Sequence, residues 1–364
     1  MLDYITFILL TNNKEKNIIP LIEEILFFKN KYIKEIIVID SNPNNTNQIL
    51  MREFSKFERK LRLINGVGWY ELSSTICEVC LNTNGEIIAV MDFDSQPEVK
   101  SVFESIDYLL KSKNDLIICS RFARVSSMKS FSKKRIKDSS FANYFARFTL
   151  STNYAHLSDF MSGCCAFKRK KCIKYLKKFD VSGFKFLYEL LSISKGKLKV
   201  GEMPLNFQSR EWGNAKLDYA FVWDFFISAF HSLTRRLISK RAISFGVVGA
   251  TGVLVHLFVV YFLLAITKLT FVQVIPIAGI SAASSNFLIN NFLTFRNARL
   301  RGIKLIRGLI KFLMVSSVPL LANVVLAGSF YQFVMPNKFI SSMVGIIFVF
   351  IWNYAASSKF VWKE

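Results

Sequence analysis

The chain has 364 residues, with 48 lysines and arginines against 26 acidic residues and a formal net charge of +22. Its hydrophobic content of 52% and mean hydropathy of +0.31 exclude an ordinary soluble protein, and its length allows two or three domains. The apolar excess lies towards the C-terminal end, so we expect a soluble part followed by a membrane part. In a membrane protein, a surplus of lysine and arginine indicates cytoplasmic loops and contact with anionic headgroups, and not a nucleic-acid partner.

The first part of the chain alternates short apolar runs with amphipathic segments. Bounded apolar runs of four to eight residues are typical of buried strands. Strands are predicted at Ile5–Leu10, Glu35–Asp40, Leu61–Ile64 and Glu86–Met91, and helices at Asn17–Phe28, at Asn47–Phe57 and from Gly66-Val67-Gly68 onward. This alternation predicts an α/β fold with a doubly wound, mostly parallel sheet.

Two carboxylates follow the fourth predicted strand, in the segment Asp92-Phe93-Asp94-Ser95-Gln96. Alternate side chains of an extended backbone point the same way, so Asp92 and Asp94 can converge on one point. In an α/β sheet that point lies at the carboxyl edge, where ligands bind. Two hard oxygen ligands suit Mg²⁺ or Mn²⁺ held together with substrate phosphates.

The six cysteines show no regular metal-binding pattern. Cys77-x-x-Cys80 lacks a second pair at zinc-ribbon spacing, and Cys119, Cys164, Cys165 and Cys172 are irregularly spaced. We expect all six to be reduced packing residues of a cytoplasmic domain. The segment Met1–Leu10 has neither a basic leader nor a small-residue cleavage site, so it is interpreted as a first strand and not as a signal peptide.

Two stretches are predicted to lie at the membrane surface, because each combines aromatic bulk with basic residues. They are Phe141–Leu150 and Tyr219–Lys240. Four predominantly apolar segments, each long enough for a hydrocarbon core of about 30 Å, follow as predicted spans. These spans are Ala242–Ile266, Phe271–Phe295, Gly308–Val334 and Phe339–Phe360.

The charges that flank the predicted spans are asymmetric. Basic residues cluster before the first span and between the second and third, whereas the turns near Lys268 and Lys338 carry little charge. The positive-inside rule therefore predicts that both termini and the middle loop are cytoplasmic. Asn286, Asn290, Asn291, Asn323 and Asn353 lie within the spans and are interpreted as hydrogen-bonding residues between helices.

Several motifs together give a specific resemblance that runs over nearly the whole chain. The matching segments are Asp40 after a strand, Asp92-x-Asp94-x-Gln96, Ser120-Arg121-Phe122, Arg135 with Ser139, Ser158-Asp159-Phe160-Met161-Ser162-Gly163, Gly201-Glu202-Met203-Pro204, and Arg210-x-x-Gly213-x-x-Lys216. This order resembles the polyprenyl-phosphate hexosyltransferases of glycosyltransferase family 2, in particular the dolichyl-phosphate mannose synthase type with an attached membrane domain. The Asn286-Phe287-x-x-Asn290 and Trp352-Asn353-Tyr354 patterns resemble GtrA-type four-helix domains.

The resemblance implies a GT-A domain at 1–218, an amphipathic linker at 219–241 and a GtrA-like membrane domain at 242–364. It also implies roles for individual residues. The nucleotide sugar would be bound by Asp40, Asp92, Phe93, Asp94, Gln96 and Lys216. The metal would be held by Asp92, Asp94 and Gln96. The acceptor phosphate would be bound by Arg121, Arg135, Ser139 and Arg210. Catalysis would rest on Asp92, Asp94 and the four acceptor-binding residues.

The implied reaction is an inverting, metal-dependent transfer of mannose from GDP-mannose to dolichyl or polyprenyl phosphate at the cytoplasmic face. The family usually has Pro-Thr-Tyr-Asn-Glu and Asp-Asp-Gly-Ser in two loops at the base and ribose, where this chain has Leu10-Thr11-Asn12-Asn13-Lys14 and Asp40-Ser41-Asn42-Pro43. These departures leave UDP-glucose open as the donor. They also leave open a degenerate transferase domain that serves a glycolipid-binding or glycolipid-flipping membrane protein.

Overall fold

The computed structural model describes residues 4–11, 15–29, 32–40, 61–65, 72–92, 98–123, 133–179, 185–205, 219–335 and 338–362. The chain divides into two compact units, Met1–Arg235 and Arg236–Glu364. The predicted helix at 47–57 and the glycines at 66 and 68 lie outside the described residues. The finer boundaries at 218 and 241 stay predictions.

A single mixed sheet forms the centre of the first unit. Its described strands are β1 (Ile5–Thr11), β2 (Ile33–Asp40), β3 (Leu61–Asn65), β4 (Ile87–Asp92), β5 (Leu116–Ser120), β6 (Cys164–Lys168) and β7 (Val200–Pro204). They lie in the order β3-β2-β1-β4-β6-β5-β7. Strand β6 runs antiparallel to β4 and β5, and the other neighbouring pairs are parallel. The predicted mostly parallel sheet is therefore confirmed, and the four predicted strands agree with β1 to β4 to within two residues.

Helices cover both faces of this sheet. The helices described in the first unit are α1 (Glu15–Lys29), α2 (Leu72–Asn82), α3 (Val99–Lys111), α4 (Lys133–Thr149), α5 (Arg169–Leu176), α6 (Phe186–Ser194) and α7 (Tyr219–Leu233). Alternate strand residues point to opposite faces, and two apolar cores result. One core packs α2, α4, α5 and α6 against Ile8, Val90 and Ile118, and the other packs α1 and α3 against Phe7, Ala89 and Ile117. Burial on both sides explains why the strands are continuous apolar runs.

Parallel pairing brings the carboxyl ends of the strands to one edge. Asp40 at the end of β2 is paired with Thr11 at the end of β1, and Asp92 at the end of β4 is paired with Leu10. Ser120 ends β5 at the same edge, because β5 runs in the same direction as β4. The edge that the motifs predicted to bind ligands is thus the place where the polar residues follow the strands.

The cysteines behave as packing residues. All six are free and buried. Burial raises the pKa of the Cys77 thiol to about 11, with a further contribution from Glu78, and burial likewise raises the pKa values of Cys80 and Cys165. Thiols with raised pKa values are protonated near neutral pH and are poor nucleophiles.

The aromatic residues of the predicted interfacial stretch lie on one face of α4. Phe141, Tyr144 and Phe148 are 60%, 76% and 74% exposed, at spacings of three and four residues that place them on one helical stripe. Phe145, on the other side of α4, packs edge-on against Phe225 and Phe226 of α7. Exposure of three large aromatics in a row is the pattern expected for a surface that contacts lipid.

The second unit consists of helices in each of the four predicted spans. They are α8 (Lys240–Ile266), α9 (Phe271–Phe292), α10 (Ile303–Phe333) and α11 (Lys338–Ala356), and a π-helical turn, Ser357–Val361, follows. Among the residues whose side chains the structure describes, one helix, α8, is long and apolar enough to cross a membrane. The four spans and their orientation stay predictions.

Candidate active site

Asp92 lies half-buried at the end of β4, where the chain leaves the sheet. Its backbone N–H donates to the carbonyl oxygen of Gly163 at 3.0 Å, which extends the β4–β6 ladder by one residue. A small cavity of about 50 Å³ lies against Asp92 and is also lined by Ser73, Ser162 and Lys185. The Asp92 carboxylate is therefore at the surface of the sheet edge and not part of the apolar core.

Gly163 is the residue that lets Asp92 adopt this position. A Cβ atom at Gly163 would lie 2.5 Å from the Cβ and 2.8 Å from Oδ2 of Asp92. Contacts this short do not occur between real side chains. A close approach of backbone to a functional group is one of the uses of glycine in proteins.

Arg121 follows β5 at the same edge and forms a side-on ion pair with Asp159. Its Nε donates to Asp159 Oδ2 and its Nη2 to Oδ1, both at 2.7 Å, and its backbone N–H also donates to Oδ2 at 3.0 Å. The Asp159 carboxylate is fully buried, whereas 15% of the Arg121 side chain is exposed. A side-on pair through Nε and Nη2 directs Nη1 away from the carboxylate, so this nitrogen can donate to another anion.

The pKa shifts of this pair have opposite signs and a common cause. Burial alone would raise the pKa of Asp159, but the charge and hydrogen bonds of Arg121 outweigh it and hold that pKa below its ordinary value. Burial alone would lower the pKa of Arg121, but Asp159, together with the nearby charge of Asp92, raises it. Both groups are therefore ionised near neutral pH, and Asp92 is close enough to Arg121 to contribute to its charge balance.

The loop that carries Asp159 is held by residues on two elements. Glu202 of β7 accepts the backbone N–H groups of Ser158 and Asp159 at 2.7 and 2.8 Å. Asn143 of α4 accepts the Phe160 N–H at 2.7 Å and contacts Asp159 Oδ1 through Nδ2 at 3.4 Å. These bonds satisfy the backbone of a buried turn and fix the position of the Asp159 carboxylate.

Helix α4 carries two of the predicted acceptor-binding residues and contacts this loop through Asn143. Arg135, Ser139 and Asn143 are spaced four residues apart, so their Cα atoms lie on one face of the helix. Asn143 bonds to the loop of Asp159. Ser139 and the backbone of Arg135 therefore lie on the helical face that carries Asn143.

The other predicted site residues divide into two groups. Asp40 is fully buried at the end of β2, which lies directly beside β1 and is separated by β1 from β4. The second group lies outside the described residues and consists of Phe93, Asp94, Gln96, Arg210, Lys216 and the side chain of Arg135. The altered loop residues 12–14 and 41–43 also lie outside the described residues. Their roles stay predictions.

Asp92 fits a divalent metal, although its predicted partners lie beyond the described part of the chain. Within that part, no three histidine, cysteine or acidic side chains are arranged to hold a metal ion. The carboxylate of Asp92 is a hard oxygen ligand of the kind Mg²⁺ and Mn²⁺ prefer, and Asp92 is half-buried against the small cavity at the sheet edge.

Sequence reasoning did not assign roles to Asp159, Glu202 and Asn143. Asp159 and Glu202 stand inside segments that carried the resemblance, and both are acidic residues within otherwise apolar runs. That contrast is a usable signal, because a buried carboxylate requires a partner. Asn143 has only its spacing of four residues from Ser139 as a signal.

Comparisons with known proteins match the two parts of the chain to two families. Residues 6–176 match the family model described as Glycosyl transferase family 2, and residues 244–362 match the GtrA/DPMS transmembrane domain. A dolichol-phosphate mannosyltransferase of Pyrococcus furiosus is 25% identical over 360 residues, which cover 98% of this chain and 99% of the relative.

Solved structures of glucosyl-3-phosphoglycerate synthase from Mycobacterium tuberculosis are also similar. The complex with UDP gives a TM-score of 0.48 at 16% identity, covering 64% of this chain and 80% of that chain. The complex with Mn²⁺, UDP and glucosyl-3-phosphoglycerate gives the same values. By its two family matches, the chain joins a glycosyl transferase family 2 domain to a GtrA/DPMS transmembrane domain, and it is a membrane-bound glycosyltransferase.

Proposed function

We propose that the protein transfers mannose from GDP-mannose to a polyprenyl or dolichyl phosphate, with inversion at the anomeric carbon. The observation that carries this proposal is that Asp92 and Arg121 lie at one sheet edge, close enough for the Asp92 charge to raise the pKa of Arg121. A carboxylate suited to a metal–diphosphate and a guanidinium suited to a phosphate are the two groups that such a transfer requires. The similarity to a dolichol-phosphate mannosyltransferase over 98% of the chain supports the choice of acceptor and sugar.

The acceptor phosphate supplies its own nucleophile. A phosphate monoester has a second pKa of about 6, so it is largely dianionic near neutral pH and needs no general base. One of its oxygens attacks the anomeric carbon from the side opposite to the nucleoside diphosphate. The new C–O bond forms as the bond to the diphosphate breaks, so the configuration inverts.

The protein's contribution is to bind and orient these charged groups. The free Nη1 of Arg121 would donate to the acceptor phosphate, assisted by Ser139, Arg135 and Arg210. Asp40, Phe93 and Lys216 would contact the nucleotide sugar. Asp92, Asp94 and Gln96 would hold Mg²⁺ or Mn²⁺, which when bound stabilises the negative charge of the departing diphosphate.

The membrane domain and the exposed aromatics of α4 support a lipid acceptor. Phe141, Tyr144 and Phe148 present apolar surface on the face of α4 opposite to the one that carries Ser139. A site held at the membrane surface encounters its lipid substrate at a raised effective concentration. We place this site on the cytoplasmic side, as the positive-inside rule indicates.

The experiment is transfer of labelled sugar into organic-extractable lipid by the purified full-length protein. GDP-mannose and UDP-glucose are compared at fixed Mn²⁺ with a polyprenyl phosphate present. Label from GDP-mannose supports the proposal, and label from UDP-glucose alone replaces the donor. Label from neither overturns it in favour of a glycolipid-binding or glycolipid-flipping protein.

The role of Asp92 is tested separately. Asp92→Asn keeps the shape of the side chain but removes its charge, so transfer should fall by at least about a hundredfold because transition-state charge is no longer stabilised. Glu104→Gln, an equally conservative change at an exposed position of α3, is the control. Unchanged transfer by the Asp92→Asn protein would refute the metal role.

A further inference from the structure

Glu202 is a carboxylate near the site for which the proposed transfer has no direct use. It lies half-buried in β7, opposite Ile118 of β5. Its Oε1 accepts the N–H groups of Ser158 and Asp159 at 2.7 and 2.8 Å, and its Oε2 accepts the Ser158 hydroxyl at 2.9 Å. Both oxygens are thus committed to one turn of the chain.

The turn that Glu202 holds determines where Arg121 points. Asp159 receives three hydrogen bonds from Arg121, one from its backbone and two from its guanidinium. Ser158 contacts the end of strand β5, because its hydroxyl lies 3.1 Å from the hydroxyl of Ser120. The Ser120 hydroxyl in turn accepts the N–H groups of Phe122 and Ala123. Glu202 therefore holds Ser158, which contacts Ser120, and Asp159, which pairs with Arg121.

The chemistry of these contacts favours a carboxylate at this position. Three donors converge on Glu202, and a carboxylate is an acceptor at both oxygens, whereas an amide would present a donor to one of them. Hydrogen bonds to an ionised acceptor are also shorter and about twice as strong as neutral ones. No positively charged side chain contacts Glu202 among the described residues, so its charge is balanced by the peptide groups of the turn that it holds.

We propose that Glu202 is a positioning residue for the acceptor phosphate and acts through Asp159 and Arg121. By fixing the amides of Ser158 and Asp159, it holds the Asp159 carboxylate in the place where a side-on pair turns Nη1 of Arg121 outward. This inference rests on the proposed function, in which Nη1 binds the acceptor. Its consequence is selective: loss of Glu202 weakens binding of the lipid phosphate and leaves binding of the nucleotide sugar unchanged.

A double-mutant cycle on the full-length protein tests this route. Glu202→Gln should raise the KM for polyprenyl phosphate about tenfold, the effect of losing roughly one charge-assisted hydrogen bond, without a change in the KM for the donor. Arg121→Lys, which removes the forked donor, should raise the same KM. In the double variant the Glu202→Gln change should add less than about twofold, because its effect passes through Arg121. Glu104→Gln is the matched control and should leave both KM values as in the wild type.

Each contrary outcome is distinct. The proposal would be overturned if the effects of the two changes multiplied independently, or if the donor KM rose equally, because either result would show that Glu202 only stabilises the fold. Wild-type kinetics of the Glu202→Gln protein would also overturn it. Should that variant not fold, Glu202→Asp, which keeps the carboxylate, enters the cycle instead.

Equilibrium binding of polyprenyl phosphate in detergent repeats the cycle without catalysis. If the wild type binds the lipid but transfers no sugar, the proposed function fails and the cycle still decides the role of Glu202. If the wild type does not bind the lipid, the inference fails as well.

Discussion

At the scale of single residues, the position of the Asp92 carboxylate depends on a neighbour without a side chain. Asp92 and Gly163 are joined by a backbone hydrogen bond, and the space that a Cβ at Gly163 would occupy is taken by Asp92. Sequence alone could not show this proximity, since the two residues are 71 positions apart and meet because β4 pairs with β6.

The Gly163→Ala variant should lose transfer activity while remaining folded. The added methyl group forces the Asp92 side chain to move, and a displacement of about 1 Å in a catalytic group can lower the rate by about a hundredfold. The measurement is kcat together with the thermal midpoint in detergent. Gly249→Ala, where a Cβ meets nothing within 4 Å, is the control. Normal kcat in the Gly163→Ala protein would show that the Asp92 position is not critical.

The buried pair of Asp159 and Arg121 should give the protein a pH-dependent stability. The folded-state pKa of Asp159 lies below its ordinary value of 3.8, so its ionised form stabilises the fold above that value and the contribution is lost as the pH falls through the folded-state pKa. Removing one partner of a buried pair costs about 3 kcal/mol. Asp159→Asn should therefore be less stable than the wild type near pH 7.

Thermal unfolding from pH 7 down to about pH 3 checks this expectation. The difference between the wild type and Asp159→Asn should narrow as the pH falls below 3.8, because the folded-state pKa of the carboxyl lies below that value and its contribution is lost as the pH falls through it. The Glu104→Gln protein should follow the wild type throughout. A difference that stays constant with pH would mean that the charge of Asp159 does not contribute.

At the scale of elements, polar side chains within the second unit connect segments that the pattern of apolar residues predicts as separate spans. Asn291 of α9 exchanges two hydrogen bonds with the backbone of Leu300, and its Oδ1 also accepts Nε1–H of Trp362 at 3.1 Å. Trp362 stacks on Phe295 with ring centroids 4.2 Å apart and is almost fully buried. Asn291 thus forms hydrogen bonds, but its partners are a loop and the C-terminal segment and not a neighbouring helix, and the roles of the other asparagines stay predictions.

Asn291→Ala should lower the stability of the second unit more than Trp362→Phe does. The alanine leaves two backbone groups and the indole N–H without their partner, whereas phenylalanine keeps a six-membered aromatic ring but loses the five-membered ring of the indole and one donor worth about 1 kcal/mol. Thermal midpoints in detergent provide the comparison, with Ser281→Ala on the exposed side of α9 as the control. Equal or smaller destabilisation by Asn291→Ala would contradict the role of Asn291.

At the scale of the whole molecule, the orientation of the membrane domain is a prediction from the distribution of charge. The exposed residues Lys268 and Arg301 lie in the turn between α8 and α9 and in the loop between α9 and α10. Since the basic loop is expected in the cytoplasm, these two positions should lie on opposite sides of the membrane.

Cysteine labelling tests this topology, and the six buried native cysteines keep the background low. A membrane-impermeant maleimide should label Lys268→Cys in intact cells and Arg301→Cys only after permeabilisation. Catalytic activity of both variants would serve as the folding control. The reverse pattern would overturn the cytoplasmic placement of the active site.

Much of this protein was predictable from local sequence because its signals are local. Apolar runs predicted β1 to β4 and the helices of the second unit, since burial on both faces of a sheet or exposure to lipid demands continuous apolar residues. The order of strand ends and acidic residues predicted the sheet edge that carries Asp92, and the motifs predicted the family.

Other properties depended on residues far apart in the chain that only the tertiary structure brings together. The antiparallel insertion of β6 sets Gly163 against Asp92, and the turn at Ser158 and Asp159, held by Glu202, orients Arg121. A hydrogen bond between side chains that are tens of residues apart leaves no periodic trace in the sequence, so the orientation of the arginine was decided by the fold.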